Sequence, residues 1–409
     1  MGSGNPAVIT VSNNHEIESL KKIERKNIRK PASEKVLILA SVASMIDQFN
    51  IPNIKLLLDM GYEVHVACNF VEGNTCSKER INKLKNILSE LNVQYYQVDF
   101  KRSIKLFANI KAYKQVCDLM KNHKYKFVHC HSPIGGMCGR LAGKKTKTKV
   151  IYTAHGFHFF KGAPVRNWLI YPIEKLLSRF TDILITINKE DYERARTKFK
   201  AKQVVYIPGV GIEVNKFKDV KVDRTAKLKE LGIDDDSFVI LSVGELTKRK
   251  NHEVIIKAIA MLKNPKIHYV ICGQGPLQEY LKNLALRLNI GNQVHLLGYR
   301  EDISEICKSC DLFAFPSLRE GLGIAALEAM ASGLPLVTSN VQGIVDYAVD
   351  GETGFVCNPK DIKGFSKCIE RLITDNILLK STSLRNIQAV NRFDIQNTLA
   401  IMQEVYDIS

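Results

Sequence analysis

Residues 315–356 read F-P-S-L-R-E-G-L-G-I-A-A-L-E-A-M-A-S-G-L-P-L-V-T-S-N-V-Q-G-I-V-D-Y-A-V-D-G-E-T-G-F-V and carry the most informative pattern in the chain. Two carboxylates, Glu320 and Glu328, are separated by seven residues across a glycine-rich turn. Gly321 and Gly323 lack a Cβ, so the backbone of this turn can approach a ligand closely. The pattern therefore indicates a binding loop.

A helix is predicted directly after this turn, because A-A-L-E-A-M-A is strong helix-forming sequence. If the helix begins near Ile324, its free N–H groups and the positive end of its dipole face the turn and favour an anion. Glu320 then precedes the helix, and Glu328 lies one turn inside it. The loop offers donors for a diphosphate and two acceptors for hydroxyl groups, which is the pattern that a nucleotide-sugar presents.

The bulk properties indicate a soluble globular protein. The chain has 409 residues, of which 45% are hydrophobic and 25% are charged, and this length suits two domains of about 150 to 200 residues each. No apolar run is long enough to span a membrane, and residues 1–30 lack the apolar stretch of a signal peptide. We therefore expect a cytoplasmic protein whose ten cysteines are reduced.

The excess of positive over negative charge lies entirely in the first half of the chain. Residues 1–210 hold 35 Lys and Arg against 17 Asp and Glu, whereas residues 211–409 hold 24 against 25. Recognised nucleic-acid motifs and aromatic platforms are absent, so we expect no nucleic-acid partner. An anionic membrane surface or a diphosphate-bearing acceptor fits the excess as well, and part of it can be a solvated face.

Strands and helices alternate along the chain. A buried strand is predicted at 35–40, a loop at 41–50, a helix at 52–60 and a second strand at 62–68, which together form a β-α-β unit. Further strands are predicted at 126–130, 150–153, 183–187, 204–207, 239–243, 269–272, 295–296, 312–315 and 336–338.

This alternation predicts an α/β fold with two Rossmann-like, doubly wound domains that face each other across a cleft. Turn residues cluster and the charge balance changes at P-G-V-G, residues 208–211. We accordingly expect a disordered basic tail at 1–34, a first domain at 35–208, a second domain at 209–390 and a C-terminal helix at 391–409 that packs toward the first domain.

The segment around Glu320 and Glu328 resembles the donor-binding signature of the retaining glycosyltransferases of family 4, which have the GT-B fold. The E-x7-E spacing, G-L-P-L-V-T-S and D-G-E-T-G-F-V are all similar to that family, and the resemblance runs from about Lys35 to the C-terminus. It implies that the first domain binds the acceptor and the second the nucleotide-sugar. Glu328 is implied to bind the ribose, and Glu320 to bind the transferred sugar together with the N–H groups of Gly321, Leu322, Gly323 and Ile324.

Two further loops of the second domain are similar to the family. In G-E-L-T-K-R-K-N, residues 244–251, Lys250 is implied to bind the donor diphosphate. Glu245 stands where relatives often have Arg, so either Arg249 is the second cation or Glu245 points elsewhere. Near the base and ribose, the resemblance places two short sequences, Gly273-Gln274 and Tyr299-Arg300.

In the first domain, T-A-H-G-F-H-F-F follows a predicted strand and resembles bacterial members that extend polysaccharides on a polyprenyl-diphosphate lipid. His155 is implied to contact the donor sugar, with a buried structural histidine as the rival interpretation. His129 and Cys130 are predicted to end a strand, and His131 to open a loop that shapes the acceptor cleft. Cys307 and Cys310 form a C-x-x-C that we interpret as two buried thiols on a helix, because no second pair completes a zinc site.

We therefore expect an enzyme that transfers a hexosyl or N-acetylhexosaminyl group from a nucleotide-sugar, UDP-linked by resemblance, to a lipid-diphosphate-linked saccharide. His155, Glu320 and Lys250 are the expected catalytic residues. Neither a cofactor nor a metal is expected, since Lys250 and the helix N-terminus can stabilise the leaving diphosphate. The alternative is a partner subunit that binds nucleotide-sugar without catalysis, which the unusual Glu245 motivates.

A peripheral location at the inner face of the cell membrane is expected from the basic first domain. Residues 103–123 are predicted to form a helix with an apolar stripe of Ile104, Phe107, Ile110 and Cys117. Lysines off that stripe can meet anionic lipid, namely Lys105, Lys111, Lys114 and Lys121. The alternative is an ordinary surface helix whose stripe faces the core.

Overall fold

A computed structural model of the protein describes residues 34–101 and 106–409. The chain forms two compact units, with unit 1 ending at Ile207 and unit 2 comprising Pro208–Thr398. Leu399–Ser409 returns to unit 1. The tail predicted at 1–34 lies, except for Glu34, outside the described residues.

Unit 1 is built on a seven-stranded parallel sheet with the order β3-β2-β1-β4-β5-β6-β7. The central strands are apolar and buried, as expected when helices cover both faces of a parallel sheet. The strands are β1 Lys35–Leu39, β2 Glu63–Cys68, β3 Gln94–Gln97, β4 Phe127–His131, β5 Lys149–Ala154, β6 Ile183–Thr186 and β7 Gln203–Tyr206.

The helices of unit 1 connect these strands and fill its core. They are α1 Ala43–Phe49, α2 Ile51–Asp59, α3 Lys78–Glu90, α4 Ile110–His123, α5 Pro133–Thr146, α6 Tyr171–Leu177 and α7 Lys189–Lys198. Helix α5 packs so closely on the sheet that a Cβ at Gly139 would lie 2.2 Å from the Cys130 sulfur. Its Arg140 is fully buried, forms an ion pair with Glu174 of α6 at 2.8 Å and stacks on Tyr152.

Unit 2 is built on a six-stranded parallel sheet with the order β10-β9-β8-β11-β12-β13. Its strands are β8 Phe238–Val243, β9 Ile267–Cys272, β10 Val294–Gly298, β11 Leu312–Phe315, β12 Leu336–Ser339 and β13 Gly354–Cys357. Its helices are α8 Val214–Lys218, α9 Arg224–Glu230, α10 His252–Leu262, α11 Gln278–Arg287, α12 Ile303–Ser309, α13 Ile324–Ala331, α14 Ile362–Thr374 and α15 Asn376–Ala389. The two Rossmann-like parallel-sheet domains confirm the predicted fold class.

The last helix, α16 Ile395–Asp407, follows a short turn at Val390–Phe393. Its end is anchored in the core of unit 1, where the Tyr406 ring stacks on Phe127 with 5.6 Å between centroids. The Tyr406 hydroxyl lies 2.9 Å from Nδ1 of His129.

Three local predictions were wrong. Residues 41–50 contain helix α1 instead of a loop, and this helix buries Ala43, Ser44 and Ile46. His131 is the last residue of β4 and does not open a loop. Cys310 lies directly after α12, although both it and Cys307 are buried free thiols as interpreted.

Of the apolar stripe predicted for residues 103–123, Cys117 lies on the buried face of the helix, whereas the prediction was wrong for Ile110. A 3-10 turn at Leu106–Asn109 leads into α4, and Ile110 is 41% exposed. The buried face of α4 is instead formed by Ala112, Val116, Cys117 and Met120. Ile104, Lys105 and the side chain of Phe107 lie outside what the structure describes.

Candidate functional site

The loops that follow β8, β9, β10 and β11 meet at the carboxyl edge of the unit 2 sheet, where ligands bind in open α/β sheets. The Gly273 N–H donates to the Gly298 carbonyl at 2.7 Å, and the Leu246 N–H donates to the Gln274 carbonyl at 2.9 Å. A Cβ at Gly273 would lie 1.9 Å from the Gly244 carbonyl oxygen. These loops are therefore held together by backbone contacts that leave no room for a larger residue at Gly273.

Glu320 is the centre of this edge. Its Oε2 atom lies 2.8 Å from Lys250 Nζ, 3.0 Å from Arg249 Nη1 and 3.3 Å from Ser317 Oγ. Burial raises the pKa of the Glu320 carboxyl, but the charges of Lys250 and Arg249 outweigh it, so the pKa is lowered from its ordinary value. Glu320 is consequently an ionised carboxylate that fixes the positions of two cations.

The two cations differ in their surroundings. Lys250 is mostly buried, with its ammonium 4.6 Å from the centroid of the Phe315 ring. Arg249 is one-third exposed, and its Nη2 atom lies 3.8 Å from the Glu245 carboxylate, which is itself half exposed. Arg249 is thus beside Lys250, and Glu245 is turned to the outer side of Arg249.

Asn251 is a residue of this loop that sequence reasoning missed. It adopts a left-handed conformation with φ +58° at the start of α10. Its Nδ2 atom donates to the carbonyls of Pro316 and Pro359 at 3.0 and 2.8 Å. Because the Leu318 N–H also donates to the Arg249 carbonyl at 2.8 Å, the cation loop and the Glu320 loop are locked together. Asparagine tolerates the left-handed region, and only that general tendency could have singled it out.

Helix α13 begins at Ile324, as predicted, so its first N–H groups lie next to Glu320 in sequence. Gly323 has φ +97°, and a Cβ there would lie 2.5 Å from the Phe315 ring and 2.9 Å from the Tyr347 hydroxyl. Only glycine therefore fits at this position. The Tyr347 hydroxyl is buried and has no hydrogen-bond partner among the described residues.

Gly343 contacts the backbone of the turn at Glu320 and Gly321, and sequence reasoning also missed it. Its N–H donates to the Glu320 carbonyl at 3.2 Å. A Cβ at Gly343 would lie 1.9 Å from the Gly321 carbonyl oxygen. The signal was present in V-Q-G-I-V-D-Y, but a glycine in a loop does not reveal which segment it touches.

Glu328 lies one turn inside α13 and is half-buried. Burial raises the pKa of its carboxyl to about 7, although the charge of Lys216 lowers it. Across residues 34–101 and 106–409, no hydrogen bond to this carboxyl is found. Glu328 can therefore accept or donate a hydrogen bond near neutral pH.

Of the residues expected near the base, Tyr299 has an exposed side chain and Arg300 has a side chain held in ion pairs. Tyr299 is 65% exposed. The Arg300 guanidinium lies 2.7 Å from Asp302 and 2.6 Å from Glu230. Since these two carboxylates occupy the Arg300 side chain, its backbone is the part available to a ligand.

His155 follows β5 in unit 1, and its Nε2 atom lies 3.1 Å from Nδ1 of His131. Burial lowers the pKa of His155 to about 4, so the imidazole is neutral at physiological pH. Burial, reinforced by His129 and His155, also lowers the pKa of His131. His129 is bonded to Thr153 at 2.8 Å as well as to Tyr406. The structure thus places the half-buried His155 beside His131, whose ring centroid lies 4.1 Å from that of His129. Sequence spacing could not show this arrangement.

Within the described part of the chain, no group of three or more His, Cys, Asp or Glu side chains is arranged to hold a metal ion. The same residues include no helix with the length and apolar character needed to cross a bilayer.

Comparison with known proteins identifies matching families for both units. The model of glycosyl transferase 4-like domains matches residues 35–188, and that of glycosyl transferases group 1 matches residues 223–388. The putative glycosyltransferase EpsD of Bacillus subtilis is 34% identical over 382 residues, which cover 91% of this chain and 96% of EpsD.

A second relative has a more specific name. The UDP-Gal:alpha-D-GlcNAc-diphosphoundecaprenol alpha-1,3-galactosyltransferase of Escherichia coli is 29% identical and aligns over 90% of this chain and 95% of its own.

Solved structures share the fold. HepE of Anabaena, in complex with UDP and glucose, superposes with a TM-score of 0.75 at 19% identity over 92% of this chain and all of HepE. The lipopolysaccharide glycosyltransferase WaaG superposes with a TM-score of 0.69 at 18% identity over 91% of this chain and 99% of WaaG. Together with the two matched domains and the relationship to EpsD, these likenesses show that the chain belongs to the family-4 glycosyltransferases of the GT-B fold.

Proposed function

We propose that this protein transfers a sugar from a UDP-linked donor to a lipid-diphosphate-linked saccharide during synthesis of a cell-surface polysaccharide. The observation that carries the proposal is the carboxylate of Glu320, which holds Lys250 and Arg249 beside the N-terminus of α13. Two fixed cations and a set of helix N–H groups form a site for a diphosphate. The names of the Escherichia coli relative, and of a Campylobacter jejuni relative that is 27% identical, support a lipid-diphosphate acceptor.

The proposed mechanism depends on charge that develops as the donor bond breaks. The sugar acquires oxocarbenium character, and negative charge grows on the leaving diphosphate. Lys250, Arg249 and the first N–H groups of α13 stabilise that charge, because they are already oriented before the reaction begins. Stabilisation by side chains and backbone is the basis on which we propose a metal-independent reaction.

Glu320 has two roles in this mechanism. It keeps Lys250 and Arg249 in place, and its second oxygen, Oε1, can accept a hydrogen bond from a hydroxyl of the transferred sugar. Neutral His155 can exchange a hydrogen bond with a sugar hydroxyl but carries no charge to stabilise the diphosphate. Retention of the anomeric configuration is proposed from the family membership, and no residue of this chain argues for it separately.

The test is transfer from a panel of radiolabelled nucleotide-sugars to synthetic polyprenyl-diphosphate-linked mono- and disaccharides. We expect turnover with at least one UDP-sugar and its loss in Lys250→Ala. The matched control is Lys248→Ala, because Lys248 is exposed in the same loop and has no place in the proposed site. Binding of nucleotide-sugars without turnover on any acceptor would instead support the partner-subunit alternative.

A further inference from the structure

Unit 1 exposes a row of large apolar side chains next to the loop that carries His155. Val165, Leu169, Ile173 and Leu176 are 85%, 73%, 46% and 54% exposed. Ile173 and Leu176 lie on one face of α6 by their spacing of three residues, and Val165 and Leu169 are exposed on the 3-10 helix that directly precedes it. We call these four residues the outer stripe. An apolar row of this kind marks an interaction surface.

The segment that bears the outer stripe is fixed from its opposite side. A 3-10 helix at Val165–Ile170 runs directly into α6, and Ile170 and Tyr171 pack against the core of unit 1. Glu174 of α6 is buried and receives two hydrogen bonds from Arg140, at 2.8 and 3.1 Å. The fold thus anchors one face of the segment and presents the other outward.

Within residues 159–181 the exposed charged side chains are all positive, and from outside this segment Glu190 of α7 accepts a hydrogen bond from the Lys161 N–H. Lys161, Arg166, Lys175 and Arg179 are exposed, and we call them the basic rim. The acid between residues 159 and 181 is Glu174, whose charge is balanced by Arg140. An apolar row bordered by Lys and Arg is the arrangement of a segment that lies in the interface of an anionic bilayer.

Trp168 supports the same partner. It is 39% exposed on this segment, and its ring is 6.0 Å from that of Tyr171 and 5.4 Å from the Arg194 guanidinium. Tryptophan favours the boundary between water and hydrocarbon, since its ring is amphipathic. It is the only tryptophan of the chain, so its fluorescence reports on this surface alone.

Helix α4, which the sequence favoured for membrane contact, offers charge with little apolar surface, since Ile110 is the one large apolar side chain that is exposed on it. Its apolar residues Val116, Cys117 and Met120 are buried. One of its lysines, Lys111, is already paired with Asp99 at 2.6 Å. Stable membrane attachment needs both apolar burial and electrostatic attraction, and the outer stripe with its basic rim combines them.

We propose that the outer stripe inserts into the interfacial layer of an anionic membrane, with the basic rim on the lipid headgroups. The reason for such a partner rests on the proposed function, because a lipid-linked acceptor is presented at a membrane. The structural observations behind the proposal do not depend on that function. The exposure of the outer stripe, the charge of the basic rim and the position of Trp168 are all independent of the donor site.

The experiment uses the full chain and vesicles of phosphatidylcholine, with or without about one-third phosphatidylglycerol. With anionic vesicles we expect co-sedimentation, a blue shift of Trp168 fluorescence and quenching by lipids brominated near the headgroup. The double variant Leu169→Asn/Ile173→Asn should bind at least about tenfold more weakly, because the inserted apolar area is lost. Val71→Asn is the matched control, since Val71 is 76% exposed in the same unit and lies outside the stripe.

Three results would overturn the proposal. The first is equal vesicle binding by the double variant and the wild type, which would place the contact elsewhere. The second is co-sedimentation without any change in Trp168 fluorescence. The third is a dimer that the double variant dissociates, without vesicle binding, which would assign the stripe to a second copy. UDP binding by the same samples is read separately, so failure of the proposed transferase function leaves the vesicle result interpretable.

Discussion

The ammonium of Lys250 lies 2.8 Å from Oε2 of Glu320, a residue 70 positions away in sequence. This contact joins the loop after β8 to the turn before α13. Arg249 reaches the same oxygen at 3.0 Å, so one carboxylate balances one of two positive charges. Glu245 also lies 3.8 Å from Arg249, but its carboxylate is half exposed and is screened by solvent. Positive charge therefore remains for an anionic ligand, and the immobilised cations need little reorganisation when that ligand becomes more negative.

Lys250→Ala should therefore reduce kcat more than nucleotide affinity. We expect kcat to fall by about a hundredfold or more, since the lost charge acts mainly as the diphosphate leaves. Steady-state transfer assays and UDP calorimetry on the same preparations measure the two effects. Lys248→Ala should match the wild type in both, and a Lys250→Ala enzyme with full kcat would remove Lys250 from the mechanism.

Transfer should persist in excess EDTA. Lys250, Arg249 and the N-terminus of α13 supply the positive charge that a divalent ion provides in metal-dependent enzymes. We expect kcat in EDTA to stay within about twofold of kcat in Mg²⁺. Loss of transfer on chelation, followed by its recovery with Mg²⁺ or Mn²⁺, would contradict this prediction.

The sequence predicted those strands whose residues are buried on both faces of a sheet. Strands such as β1 and β4 are continuous apolar runs because both faces of the sheet are covered. In contrast, β3 was missed since Q-Y-Y-Q at a sheet edge is mostly exposed. Helix α1 was missed because no side chain caps its N-terminus, so the usual start signal is absent.

In the site, spacing along the chain predicted the turn and the start of α13 but not contacts between distant loops. Lys250 and Glu320 were each expected to face the donor, yet they bind each other. Likewise, the exposure of Ile110 and of the outer stripe depends on which helical face meets the sheet. Periodicity identifies an apolar face, but tertiary packing decides whether that face is covered.

Nucleotide affinity should depend on pH through Glu328. The pKa of this carboxyl is raised to about 7, so it is protonated below that pH and ionised above it. An ionised carboxylate accepts a hydrogen bond from the ribose hydroxyl more strongly, so affinity for a UDP-sugar should fall as the pH decreases from about 8 to about 6. A UDP-sugar is the probe because, unlike UDP, it has no terminal phosphate that titrates in this range. In Glu328→Gln this dependence should vanish, with affinity about tenfold below wild type at the higher pH. Equal affinity of the wild type at both pH values would contradict the assignment.

The stability of the ligand-free protein provides an independent check on Glu328. Its contribution to stability should decrease with rising pH, whereas its contribution to nucleotide affinity should increase. A carboxyl whose pKa is raised in the folded state favours folding when protonated, and that contribution is lost as pH rises from about 4.5 through about 7. Without ligand, the melting temperature of the wild type relative to Glu328→Gln should accordingly decrease across this window. A constant difference would indicate that Glu328 is not desolvated.

Gly323→Ala should cost both stability and nucleotide binding. Its φ of +97° strains any side chain, and the added Cβ would meet Phe315 and the Tyr347 hydroxyl. Gly351→Ala is the matched control, since Gly351 has φ +76° with open space around it. Both variants should lose about 1–2 kcal/mol from backbone strain, and Gly323→Ala about 1–3 kcal/mol more from overpacking. Chemical denaturation measures the difference, and equal losses would show that the turn relaxes around the methyl group.

His131 should act as a positioning residue for His155. The two rings share a hydrogen bond of 3.1 Å between Nδ1 of His131 and Nε2 of His155, which selects the tautomer and orientation of His155. We expect His131→Leu to lower kcat by about tenfold with little change in UDP affinity. His131→Asn, which can keep one polar atom near the bond, should recover part of that loss. A merely structural role would lower stability in both variants without this partial recovery.

Because the pKa of His155 is lowered to about 4 by burial, neither His131 variant should change the pH profile of kcat between about 6 and 8. A histidine titration in that range would show that His155 is charged during the reaction, and the neutral hydrogen-bonding role would then have to be abandoned.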